Sequence, residues 1–170
     1  YWSMLVAPAA GITYGNNPVW IWAQTAGEIA EGHGTWAGDP WHRGLDTEGI
    51  RSLTILRAFF ERLPWTELRP APELLAKQPG TTGLERFIAV AATPSLTWIV
   101  AYLPCGGSLR LERPPAAGSG AAWWVDPRPG EWIPYASWNP ARSEVLAPNS
   151  RDWVFVCGPA APARNPKEVQ

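Results

Sequence analysis

Between residues 46 and 63 the apolar positions Ile50, Leu53, Leu56, Phe60 and Leu63 recur every three or four residues, with Arg51, Arg57, Glu61 and Arg62 among the intervening ones. That period predicts an amphipathic α-helix with one face turned to a core. Both ends are marked: Asp46 or Thr47 can cap the first free amides, Glu48 suits the first turn, and Pro64 cannot continue the ladder. About 17 residues at about 1.5 Å each give a rod of roughly 25 Å, long enough to lie across one face of a sheet or barrel.

Past Leu68 the pattern changes. A Pro-rich connection over 69–83 leads into short apolar or alternating runs at 87–93, 96–103, 108–112, 121–125 and 152–157, each bounded by Pro, Gly, Asn or Asp. These predict an antiparallel all-β module, and 84–158 has the length of a small β-sandwich. Within the run 121–125, Trp123 and Trp124 are adjacent, so in a strand they point to opposite faces and one indole must leave the inner side. The outward ring would either cover a neighbouring domain or act as a stacking platform for a pyranose. The chain has twelve tryptophans in 170 residues. Most are explained as core, because one indole buries a large apolar area.

The connection between Trp22 and Asp46 holds five glycines together with His33, Trp36, Asp39, Trp41 and His42. Aromatic side chains in so long a loop favour a docked, ligand-facing or interface role. The first 22 residues open in an apolar run without an initiator methionine, which reads as the inside of a larger protein. The tail 159–170 is rich in Pro, Ala and charge, and is expected to be disordered.

Composition narrows the function classes. Hydrophobic residues at 46 % and charged ones at 17 % suit a globular product. A net charge of −1 with scattered arginines argues against nucleic acid as a partner. No window approaches the roughly 18 apolar residues of a membrane span, so no membrane partner is expected. Cys105 and Cys157 stand far from any metal-ligand spacing, and His33 and His42 are too few for a zinc site, so neither a metal nor another cofactor is expected. The two thiols read as half-buried and unpaired, with a disulfide as the alternative.

The order of segments resembles the apiosidase-like glycoside hydrolases. Tyr1-Trp2-Ser3-Met4-Leu5-Val6, Ala9-Ala10-Gly11, Thr13-Tyr14-Gly15-Asn16-Asn17 and Val19-Trp20 resemble the last part of that family's barrel. Leu56-Arg57-Ala58-Phe59-Phe60 with Pro64-Trp65 and Leu68-Arg69-Pro70 resembles its closing helix. Val100-Ala101-Tyr102-Leu103-Pro104, Trp124-Val125-Asp126-Pro127-Arg128 and Asp152-Trp153-Val154-Phe155-Val156 resemble the collagen-binding-like C-terminal domain that accompanies such barrels.

The resemblance implies a mainly β chain. Residues 1–76 would be the terminal βα fragment of a (β/α)8 barrel, 84–158 a small antiparallel β-sandwich and 159–170 a tail. The last barrel strand would lie near 11–14 and bring Tyr14, Asn16, Asn17 and Trp20 to the C-terminal rim, where such barrels bind substrate. Trp123 completes the candidate sugar contacts. Gly15-Asn16-Asn17-Pro18 also reads as a plain turn, and Ile12 stands where the family usually has a histidine before Thr-Tyr-Gly.

Glycosidases need two carboxyl groups flanking the scissile bond. In this family they sit on earlier strands, so no catalytic residue is assigned. Glu28, Glu31, Asp39, Asp46 and Glu48 form a local acidic set with ordinary loop and capping explanations. The expectation is a non-catalytic C-terminal fragment whose sandwich supports the barrel and contacts plant-cell-wall-type polysaccharide or oligosaccharide. The parent would be secreted or periplasmic. Exposed barrel edges would favour self-association. The alternatives are an intact hydrolase using the acidic loop and a carbohydrate- or protein-binding module.

Overall fold

The computed structural model describes residues 1–7, 9–27, 38–113, 115–116, 120–141 and 144–159. Glu28, Glu31, His33, Trp36 and nearly all of the tail 159–170 lie outside the described residues. The chain divides into two compact units, Tyr1–Gly11 with Leu56–Gln170, and Ile12–Ile55.

The larger unit is built on strands β1 (Arg69–Pro70), β2 (Ala89–Ala92), β3 (Ile99–Leu103), β4 (Ser108–Arg110), β5 (Ala121–Asp126), β6 (Glu131–Pro134), β7 (Glu144–Leu146) and β8 (Trp153–Gly158). Six of them form an antiparallel sheet in the order β1-β2-β3-β8-β5-β6, while β4 pairs with β7 in a second sheet. The central strands β3 and β8 are apolar almost throughout because the large sheet is covered on both faces. Their period of two sends Ile99, Ala101, Leu103, Phe155 and Cys157 to one core, and Val100, Val154 and Val156 to the other.

The first core is the interior of the sandwich, closed by Leu109 of β4 and Val145 of β7. Both of those strands alternate exposed, buried, exposed, as expected of a sheet with one wet face. The second core is closed by helical residues: Leu5 of α1 (Trp2–Val6), Phe59 and Phe60 at the end of α3 (Glu48–Phe60), and Leu63 and Leu68 beyond it. Adjacent indoles divide accordingly. Trp124 enters the sandwich, and Trp123 packs against the helical layer at 7 % exposure.

Four sequence expectations shift. Helix α3 spans 13 residues, about 20 Å at about 1.5 Å per residue, rather than 46–63. Its last turn tightens, with the amides of Arg62 and Leu63 donating to the carbonyls of Phe59 and Phe60 before Pro64 stops the chain. Residue 96 is not strand: Leu96 has φ 55° in the β2–β3 turn. Residues 11–14 make no ladder with any described residue, so the expected barrel strand is not formed there. A strand exists only by pairing. The cysteines are both free, but Cys105 is exposed and Cys157 fully buried, so neither is half-buried.

Candidate functional site

Tyr14, Asn16, Asn17 and Trp20 all fall within the unit 12–55, whereas Trp123 is a core residue of the other unit. Gly15-Asn16 leads into α2 (Asn17–Ile21), with Pro18 in the first turn, where its missing N–H is no loss. The Asn16 side chain serves structure: its Nδ2 donates to the Gly44 carbonyl at 2.6 Å and to Thr47 Oγ1 at 3.4 Å. Thr47 Oγ1 also accepts from the Ile50 amide at 3.4 Å and thereby caps α3. Asp46, the other capping candidate, instead pairs with Arg51 at 2.9 Å. A Cβ on Gly44 would lie 2.9 Å from Asn16 Oδ1 and from Val19 Cγ2, so any larger residue at this crossing has to displace both side chains.

Helix α2 ends on Trp22, which is left-handed at φ 61° and donates its amide to Val19. That position usually takes glycine; a Trp there is strained, and its ring is turned outward. The amide of Trp41 donates to the carbonyl of Ala23 at 2.8 Å, which brings the two rings together. Their centroids lie 4.3 Å apart with planes 9° from parallel, and His42 meets the Trp41 edge at 6.0 Å. Trp22 is 56 % exposed, Trp20 61 % and Tyr14 45 %. The unit therefore shows three large aromatic surfaces, one of them a stacked pair. Trp22 was not among the expected site residues. The signal available for it was the aromatic content of the following loop.

Carboxylates are placed differently. Asp39 pairs with Arg43, Glu61 with Arg57, and Asp126 and Asp152 converge on Arg128. Among the described residues no Asp or Glu is buried, and no group of three or more His, Cys, Asp or Glu could hold a metal. Beside Arg128, Tyr102 donates to Asp152 Oδ2 at 3.3 Å and stacks on Tyr1 at 5.9 Å. Burial, with the nearby Asp152 charge second, pushes the Tyr102 phenol up to about 12.

Residues 1–67 match the family described as "Apiosidase-like, catalytic domain". Residues 70–158 match the "Putative collagen-binding domain of a collagenase". The chain belongs to the family of that C-terminal domain, preceded by apiosidase-like sequence. No curated protein matches the chain. Among solved structures it is similar to a glycoside hydrolase family 5 protein from Bacteroides vulgatus, at 15 % identity and TM-score 0.68, over 89 % of this chain and 32 % of that one. A second, a glycoside hydrolase, is 16 % identical with TM-score 0.57, over 81 % of this chain and again 32 % of its own. The chain thus spans about a third of the length of these relatives, and the likeness concerns the fold. The two family matches meet between residues 67 and 70, whereas compactness groups residues 1–11 with everything from 56 onward.

Proposed function

We propose that the chain is the non-catalytic C-terminal part of an apiosidase-like glycoside hydrolase, in which the β-sandwich braces the adjoining helical layer and aromatic side chains of 12–55 contact glycan. The observation that carries the bracing half is the second core, where Leu5, Phe59, Phe60 and Leu63 from the apiosidase-like residues close one face of the large sheet. The stacked Trp22–Trp41 pair supports the glycan half, because a flat indole face complements the C–H face of a pyranose without any ionisable group. The sugar would come from a polysaccharide handled by a secreted or periplasmic parent.

Affinity gels and calorimetry with pectic and hemicellulosic glycans test the second half. Retention that Trp22→Ala abolishes supports it, and no retention on any glycan removes it. Turnover of aryl glycosides by the purified chain, lost in Glu28→Gln or Glu31→Gln, would instead show an intact hydrolase.

A further inference from the structure

We propose that the cleft between β1 and the β2–β3 turn binds a single carboxylate-bearing sugar, a uronate, through Arg69 and Arg113. This cleft, of about 190 Å³, lies in the larger unit and is lined by Arg69, Arg113 and Glu73 together with Pro70, Pro94 and Leu96. At roughly 30 Å³ per water it displaces about six solvent molecules, which suits one sugar ring and is below the roughly 300 Å³ at which drug-sized sites begin.

The charges are the decisive feature. Among the described residues Arg69, Arg113 and Glu73 make no ion pair with any acid or base, although all three line one cleft. Arg69 spends one nitrogen on the carbonyls of Thr66 and Leu68, which fixes the guanidinium in place. Two cations and one anion leave one net positive charge, matched to a monoanion. A guanidinium fork pairs with a carboxylate in two parallel hydrogen bonds. Glu73, an acceptor only, suits sugar hydroxyls and disfavours a more highly charged phosphate. The proline and leucine surfaces suit the ring's C–H groups.

The walls are held by backbone. Ala71 donates to Val90, Leu96 donates to Thr93, Glu112 donates to Leu74, and Ala116 donates to Leu96. Thr93 Oγ1 accepts from the Trp98 amide at 3.1 Å, which pins the turn. Leu96 at φ 55° is a left-handed non-glycine residue, the kind of local strain that accompanies ligand sites, and it keeps its side chain against both core and cleft. None of this uses the Trp22–Trp41 surface, so the two readings fail separately.

Titration of the full chain with galacturonate, glucuronate, galactose and acetate, followed by amide NMR, tests the assignment. We expect millimolar binding of the uronates, with shifts at Thr93, Ser95 and Leu96. Arg113→Gln should weaken it about tenfold or more, while Ser52→Ala, on the exposed side of α3, leaves it unchanged. Galactose binding as tightly as galacturonate would overturn the role of charge, and acetate binding as tightly would overturn recognition of a sugar. Saturable binding unaffected by Arg113→Gln, or no shift with any uronate, would refute the site. Polygalacturonate that shifts the same amides would identify the source as a residue within a polymer, whereas response to the monosaccharide alone would identify a free acid; a polymer-only response would overturn the single-ring site.

Discussion

Phe59 offers a direct measure of how far the helical layer and the sandwich are one folding unit. Its ring is 2 % exposed in the second core, edge-on to Tyr1 at 5.0 Å and to Phe60 at 5.1 Å, and stacked on Trp132 at 5.3 Å. Removing a buried phenyl costs about 3–5 kcal/mol, with the upper end favoured here by the lost aromatic pairs. For a chain of this length each kcal/mol lowers the midpoint by about 2–4 °C, so Phe59→Ala should melt roughly 6–20 °C below the parent. Differential scanning calorimetry, with near-UV circular dichroism to follow the sandwich tryptophans, reads this directly. Ser52→Ala, on the exposed side of α3, is the control and should stay within about 0.5 kcal/mol. A Phe59→Ala protein whose sandwich signal melts within about 2 °C of the parent would refute the shared core.

Three further outcomes follow from the same structure. A shortened chain beginning at Pro64 should expose the face carrying Ala89, Val100, Trp123, Val125 and Val156, bind a hydrophobic dye and elute as aggregates; a monodisperse, dye-silent product would contradict the second core. Gly44→Val should lose about 1–3 kcal/mol, seen as a lower denaturation midpoint, because the new side chain displaces Asn16 and Val19. Alkaline pH should destabilise the fold. Burial pushes Cys157 from 9.0 to about 12 and Tyr102 from 10.0 to about 12, so the folded chain holds these protons longer than the unfolded one. Their contribution is intact below about pH 9 and is lost as pH climbs toward 12. Urea midpoints compared at pH 8 and 11 check the sign, and Cys157→Ala should flatten the early part of the decline.

The β-rich class and five strand locations were legible in the sequence because apolar runs between Pro and Gly are a local signal. The strands that escaped were those whose local signal is weak. β1 is two residues long, β6 ends on Pro134 at a sheet edge, and β7 buries only Val145. Each is strand because of its partner. For the candidate site, Tyr14 and Trp20 stand out in the sequence as aromatic and turn-flanked, but the use of the Asn16 amide to tie Gly44 depends on a residue 28 positions away. The Trp22–Trp41 stack likewise depends on a backbone hydrogen bond across the loop.

Consecutive indoles at 123 and 124 also bear on how such a sheet can be inherited. Binding modules that circulate among enzymes are attached by linkers and carry a finished surface of their own. Here one tryptophan of the pair lies in a core that Leu5, Phe59, Phe60, Leu63 and Leu68 share, so the sandwich's apolar face on that side is closed by residues from 1–68. Recombination that moved 70–158 alone would move an unfinished protein. The helical layer has to travel with it, and a graft onto a new enzyme should include both.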